Sequence, residues 1–358
     1  MKKNNFWKNK KILITGHTGF KGSWLTLILA NLGAKITGYA LNPISKPNFF
    51  DNCNLSKFLK KDFREDILNI KKLNYVINKT KPSIIFHLAA QSSVLVSYKD
   101  TLSTIKTNVI GTANLLELVK TKKFVKSVVI VTTDKVYENF ERKQKFKEES
   151  KLGGHDIYSS SKAACEILTQ SYIKSFYKDS FCNIATVRSG NCIGGGDWTK
   201  DRIIKDCVES FVFNKKLIIR SPNATRPWQH VLDPLFGYLS IAEKLFSDKK
   251  KKFVGAWNFG PNKKNNLKVK QIAHLGKSIF KSKSKIIVIR KKHHESENLA
   301  LDSSKSYKLL KWKTYLSDKT SLKMTFDWFK NYYDKSKRKN LIRFTNQQIE
   351  LFKRLSKF

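Results

Sequence analysis

Carboxylates are scarce in this chain. Among 358 residues, 28 Asp and Glu stand against 70 Lys and Arg, a formal net charge of +42. Such a balance raises nucleic acid and anionic membranes as partners. The patterns that would support nucleic-acid binding are missing: no zinc-finger spacing, no RNP signature and no basic zipper. Lys outnumbers Arg about six to one and is spread along the whole length, which reads as drift across solvated faces. No nucleic-acid partner is expected, although the charge attracts anionic small molecules at long range. The five cysteines (Cys53, Cys165, Cys182, Cys192, Cys207) include no CxxC pair and no paired framework, which suits a reducing compartment. The basic N-terminus lacks the apolar stretch of a signal peptide. No apolar run approaches the ~18 residues that span a bilayer. A soluble cytoplasmic protein with no membrane partner is expected. Metal-ligand spacing is absent as well. His230 and the pair His293–His294 have no supporting carboxylate or cysteine, so structural or surface roles and no metal are expected.

What is present is a rhythm. Hydrophobic residues make up 41% of the chain, enough for one large or two ordinary domains. Strand-like "KILIT" (11–15), "KITGYAL" (35–41), "SIIFHLAA" (83–90), "VKSVVIVTT" (125–133) and "CNIATVRSG" (182–190) alternate with helix-like 23–33, 71–80, 107–121 and 158–177. This βαβ repetition predicts an α/β fold, a Rossmann-type doubly wound parallel sheet. After about Gly190 the rhythm changes. Residues 1–190, with returns from about 225–260, are expected to form the dinucleotide-binding domain. Residues 191–358 are expected to form mainly a smaller mixed α/β substrate-binding lobe and a C-terminal helical tail. The Lys-rich 332–340 reads as a flexible linker before a helix over 344–355.

Three stretches carry chemistry. "TGHTGFKG" (15–22) sets Gly16, Gly19 and Gly22 between a strand and a helix, where glycines let the backbone approach a pyrophosphate at a helix N-terminus. The second strand ends at Asn42 with no carboxylate for a ribose 2′-OH, which weakens the choice of NAD over NADP. Asp66 is placed either to meet an adenine edge or to cap a helix. "TTDKVY" ends the buried strand with Thr132, Thr133, Asp134 and Lys135, where open parallel sheets do their chemistry. "YSSSK" puts Tyr158 and Lys162 on one helix face. There the ammonium is expected to lower the phenol pKa below ~10, so that Tyr158 acts as a base.

Together these motifs resemble the extended short-chain dehydrogenase/reductases. "GHTGFKGSWL", "TTDKVYEN", "GGHDIYSSSKAACE", "GNCIGGGDW", "RPWQHVLDPL" and "LALDSSK" are similar to the CDP-glucose 4,6-dehydratases within that superfamily. The resemblance implies a lyase that uses NAD, with NADP not excluded. It would convert CDP-D-glucose to CDP-4-keto-6-deoxy-D-glucose for deoxysugar and cell-surface polysaccharide synthesis, commonly as a homodimer. It implies that Tyr158 takes the 4-OH proton, Lys162 tunes Tyr158 and holds the nicotinamide ribose, and Thr133 bonds the 4-oxygen. Asp134 would protonate the departing 6-OH. Lys135 would either remove the C5 proton, its pKa lowered by desolvation, or stabilise the C5 enolate. Gly16, His17, Gly19, Phe20, Gly22, Asp66, Ile67, Leu88, Ala89, Ala90 and Thr107 would join Tyr158 and Lys162 at the cofactor. Ser92, Thr133, Asn191, Arg202 and Arg226 would meet the substrate. The chain departs from the family at Ser92, Leu95 and Thr101, where Pro, Arg and Pro are common.

Other readings share some of these features. A nucleotide-sugar 4-epimerase or decarboxylase has the glycine loop and YxxxK but no need of Asp134 and Lys135. Another nucleotide-sugar 4,6-dehydratase would use the same residues on a different base. A dinucleotide-sensing protein would need no Tyr–Lys pair.

Overall fold

The computed structural model describes residues 5–139, 144–200, 202–225, 227–261, 267–289 and 299–358. Seven strands build one wholly parallel sheet: β1 (Lys11–Thr15), β2 (Lys35–Ala40), β3 (Leu59–Arg64), β4 (Ile84–His87), β5 (Ser127–Val131), β6 (Asn183–Arg188) and β7 (Gly255–Asn258). Their spatial order is β7-β6-β5-β4-β1-β2-β3. The order reverses between β1 and β4, the place where doubly wound sheets open a crevice at their carboxyl ends.

Side chains alternate across each strand, so each strand feeds two cores. Ile12 and Ile14 enter a large cluster with α1 (Phe20–Asn31) and α5 (Leu232–Phe246). Leu13 enters the cluster on the opposite face, with α2 (Ile70–Thr80) and α3 (Gly111–Val119). The helix α4 (Ile157–Tyr172), which carries Tyr158 and Lys162, also covers that side, and Tyr172 packs against this cluster. The large cluster continues into α6 (Asp318–Tyr333) and α7 (Leu341–Ser356). Trp24 stacks on Phe49 with ring centroids 4.9 Å apart, and Phe49 stacks on Trp328 at 5.6 Å. Trp328 lies so close to Gly195 that a Cβ there would stand 2.0 Å from its Cγ. No described helix is long and apolar enough to cross a membrane.

Three elements depart from the sequence reading. β3 has no counterpart in it: "LKKDFR" is a lysine-rich edge strand that is largely exposed, the usual way an edge is blunted. The helix expected over 107–121 begins with a π-turn at Lys106–Ile110. Asn108 sits buried in that turn and its amide holds both backbone groups of Gln91. The segment 332–340 is not a linker. α6 runs to Tyr333, Asp334 caps a short helix over Lys335–Arg338, and Arg338 lies 4.4 Å over the Tyr332 ring.

Candidate active site

A cleft of about 1240 Å³ opens at the switch point. Its floor is the glycine loop. Gly16 has φ +75°, and a Cβ there would lie 2.6 Å from Ala89 N. A Cβ on Gly22 would lie 2.2 Å from Gly16 O, so α1 packs on the loop without a side chain between them. At Gly19 nothing lies nearer than 3.4 Å, and the residue faces the cleft. The first turn of α1 has no capping side chain and no acidic residue, which leaves its N–H groups for an anion. These features fit a dinucleotide pyrophosphate.

The wall at the carboxyl end of β5 carries the titratable groups. Thr133 Oγ1 donates to Asp134 Oδ1 at 3.0 Å, and Lys135 Nζ lies 3.6 Å from the same oxygen. Asp134 is buried, and its Oδ2 has no hydrogen-bond partner among the described residues. Gly190 makes room for it, since a Cβ there would fall 2.6 Å from Oδ2. The Asp134 backbone N–H donates to Ser189 O at 3.2 Å, tying this turn to the end of β6.

α4 delivers Tyr158 and Lys162 from the facing side. Asp156 caps it by accepting from Ser159 N at 2.9 Å, and Ser97 Oγ accepts from Tyr158 N at 3.2 Å. Lys162 Nζ donates to Val131 O at 3.1 Å. Burial lowers the Lys162 pKa. The direction expected for Tyr158 is reversed: burial raises its pKa and outweighs a hydrogen bond to Thr133 and the charges of Lys21 and Arg202, which lower it. Lys162 spends its ammonium on a carbonyl instead. Lys135 is not enclosed as expected either, with its side chain 34% exposed.

Of the residues expected at the cofactor, Gly16, Gly19, Phe20, Gly22, Asp66, Ile67, Leu88, Ala89, Ala90, Thr107, Tyr158 and Lys162 all line the cleft. His17 does not. Its ring is buried behind the loop, where Nε2 meets Asp62 Oδ1 at 2.9 Å, and burial lowers its pKa. Asp66 caps no helix; its Oδ1 accepts from Leu68 N at 2.9 Å, while Asn69 caps α2. Ser92, Thr133, Asn191 and Arg202 line the same cleft, and Arg226 lies outside the described residues. His230 is buried edge-on to Trp24 at 5.8 Å, with its pKa lowered by burial to about 3; His293 and His294 lie outside the described residues. No group of His, Cys, Asp and Glu among the described residues is arranged to hold a metal.

A family model described as GDP-mannose 4,6 dehydratase matches residues 13–332. The chain belongs to the GDP-mannose 4,6 dehydratase family. Within it, the chain is 41% identical over 314 residues to a CDP-glucose 4,6-dehydratase of Salmonella typhimurium, covering 86% of this chain and 87% of that one. The fold is similar to that of dTDP-glucose 4,6-dehydratase from Bacillus anthracis in complex with NAD. The TM-score is 0.75 with 23% identity, over 93% of this chain and 99% of that one. It is equally similar to UDP-glucuronic acid 4-epimerase from Bacillus cereus in complex with UDP-glucuronic acid and NAD, with a TM-score of 0.77 and 23% identity, over 90% and 99% of the two chains.

The sequence reading passed over a cation in the glycine loop of this dehydratase-family cleft. Lys21, inside "GFKG", donates from Nζ to Ser189 Oγ at 2.8 Å, and Ser189 Oγ lies 2.7 Å from Tyr238 OH. The signal for it is local: a lysine between two glycines of the loop. Trp198, Arg220 and Trp228 also line the cleft from the second half of the chain. No local pattern singled them out.

Proposed function

We propose that the protein is an NAD-dependent CDP-glucose 4,6-dehydratase, forming CDP-4-keto-6-deoxy-D-glucose with loss of water. The observation that carries this reading is the Thr133–Asp134–Lys135 turn facing Tyr158 across one cleft. An epimerase needs the oxidising Tyr but no acid and base at the neighbouring carbons. The 41% identity to the Salmonella protein supports cytosine as the base of the substrate nucleotide. A bound NAD would supply the acceptor for the C4 hydride and the donor for C6. Tyr158 takes the 4-OH proton, and Thr133, in the same cleft, steers the 4-oxygen. Asp134 donates a proton to the leaving 6-OH from its buried carboxyl. Lys135 removes the C5 proton and returns a proton to C5 as hydride reaches C6, which completes the 4-keto-6-deoxy product. On this reading residues 1–190 mainly hold the dinucleotide, and 191–358 mainly hold the sugar nucleotide. Ser92, Asn191, Arg202 and Arg226 contact the substrate, Arg being suited to a diphosphate by bidentate bonding.

The finer setting follows the same reading: a cytoplasmic enzyme of cell-surface polysaccharide synthesis, including lipopolysaccharide, acting as a homodimer. Exposed Leu95, Tyr98, Leu102, Ile110, Ile167 and Phe176 lie on segments 94–119 and 157–177, and exposed apolar side chains of this kind can pair with a second copy. The activity is tested by incubating CDP-glucose deuterated at C4 with protein and NAD. Loss of one water, deuterium at C6 and no net NADH are expected. An unchanged mass would indicate an epimerase, and steady NADH build-up an ordinary dehydrogenase; either would overturn the reading.

A further inference from the structure

Behind the catalytic wall lies a charge pair that does not reach the cleft. Glu166 on α4 and Arg188 at the end of β6 both have fully buried side chains. The guanidinium grips the carboxylate with two bonds, Nε to Oε1 at 2.9 Å and Nη2 to Oε2 at 2.8 Å. Two hydroxyls complete the carboxylate's shell: Thr132 Oγ1 donates to Oε1 at 2.5 Å, and Thr186 Oγ1 donates to Oε2 at 2.6 Å. The remaining guanidinium nitrogen, Nη1, donates to Tyr137 OH at 2.7 Å and to Glu148 O at 3.0 Å. Tyr137 OH donates in turn to Asn258 Oδ1 on β7 at 2.7 Å.

The elements this pair joins are those that carry the site. Tyr158, Lys162 and Glu166 follow one another at four-residue spacing, so they share a helix face. Lys162 hooks Val131 O and Glu166 hooks the Thr132 hydroxyl, on successive residues of the strand end. The next two residues are Thr133 and Asp134. Arg188 holds Tyr137, which follows them, and precedes Ser189, whose carbonyl accepts from Asp134 N. The turn bearing Thr133, Asp134 and Lys135 is therefore pinned at both ends to one buried carboxylate and its partner. A buried pair is a poor source of stability when an apolar pair would fill the same space. A fully satisfied one fixes a geometry.

We propose that Glu166 and Arg188, acting through Thr132 and Tyr137, are positioning residues that set the distance from Thr133 and Asp134 to Tyr158. The inference rests on the reading of Tyr158 as the oxidising base. Displacement of reacting groups by about 1 Å costs about a hundredfold in rate, so a device holding this spacing is a direct determinant of turnover.

Removing Glu166 or Arg188 leaves an unpaired buried charge and endangers folding. The test therefore uses Thr132→Val, which keeps the shape and deletes the hydroxyl, and Thr132→Ser, which restores it. Thr186→Val is the comparison, removing a hydroxyl from the same carboxylate on the side away from the turn. Two readouts are taken. One is turnover of CDP-glucose with NAD. The other needs no substrate: 19F NMR titration of 3-fluorotyrosine placed at position 158. For Thr132→Val a fall in kcat of about tenfold or more is expected, with KM and NAD affinity little changed. The Tyr158 titration should move upward by about half a pH unit or more as Thr133 is released. Thr132→Ser should restore both readouts. An unmoved titration in Thr132→Val, or equal losses in Thr132→Val and Thr186→Val, would mark the pair as packing alone and overturn the assignment. If wild type itself fails to dehydrate CDP-glucose, the functional reading fails, and the titration still decides the positioning role.

Discussion

Replacing Lys135 by Met separates the chemistry of the turn from its stability. The ammonium lies 3.6 Å from Asp134 Oδ1, but the lysine side chain is 34% exposed. An ion pair open to water on one side contributes about 0.2–1 kcal/mol. The variant should therefore melt within about 2 °C of wild type. Its chemistry should change far more. A positioned base contributes about 10²–10⁴-fold, so exchange of the C5 proton with solvent deuterium should fall by that factor. On the proposed mechanism C4 oxidation depends on Tyr158 and should survive, so enzyme-bound NADH should accumulate in a single turnover. Nicotinamide absorbance follows the first step, and mass spectrometry of recovered sugar nucleotide follows the second. Lys135→Arg divides the two roles open to this residue. Arg keeps the charge but cannot act as a base near neutrality, so a base role predicts the Met phenotype and an enolate-stabilising role predicts near-normal exchange. Wild-type exchange in Lys135→Met would refute any part for this side chain at C5.

Three further outcomes are expected. Gly22→Ala places a Cβ 2.2 Å from Gly16 O and should lose about 1–3 kcal/mol of stability. Gly19→Ala meets nothing nearer than 3.4 Å and should keep the fold while losing NAD affinity; calorimetry against NAD titration distinguishes them, and equal melting points would refute the packing argument. His87 and His230 are held neutral by burial, each lowered from 6.5 to about 3. The unfolded chain takes up these protons first, so stability is full above the ordinary histidine pKa and is lost as pH falls through the window below it, by about 1.4 kcal/mol per unit for each ring. Urea midpoints that stay flat from neutrality to about pH 4.5 would contradict this. Tyr98→Glu with Leu102→Glu should yield a folded monomer by light scattering if segments 94–119 and 157–177 form the dimer face; an unchanged mass would locate the contact elsewhere.

How much was legible in sequence depended on whether the signal was local. The glycine loop, β5 and α4 each announce themselves within about twenty residues, by turn chemistry and hydrophobic period. β3 did not, because an edge strand carries lysines where an inner strand carries Val and Ile. The turn at 334–338 was masked by its lysines, although Asp334 is an ordinary cap. The direction of the Tyr158 shift was misread for a different reason. Tyr–Lys spacing is written in the helix, but burial is set by everything packed around it. The Glu166–Arg188 pair was beyond local reading, since its members belong to different elements and meet only in the folded core.

The aromatic seam through Trp24, Phe49 and Trp328 bears on how such a protein changes its substrate over time. Trp24 belongs to the first helix, Phe49 to the segment after the second strand, and Trp328 to a helix near the far end of the chain. Gly195, whose carbonyl accepts from the Trp24 indole at 3.0 Å, leaves no space between itself and Trp328. Exchanging the second half with that of a relative would therefore mate two surfaces shaped by different histories, and close-packed interiors tolerate such mismatches poorly. Recombination at the middle of the gene is a barren route to a new sugar nucleotide here. Point changes at cleft-lining positions such as Ser92, Arg220 and Trp228 leave the seam untouched and are the open one.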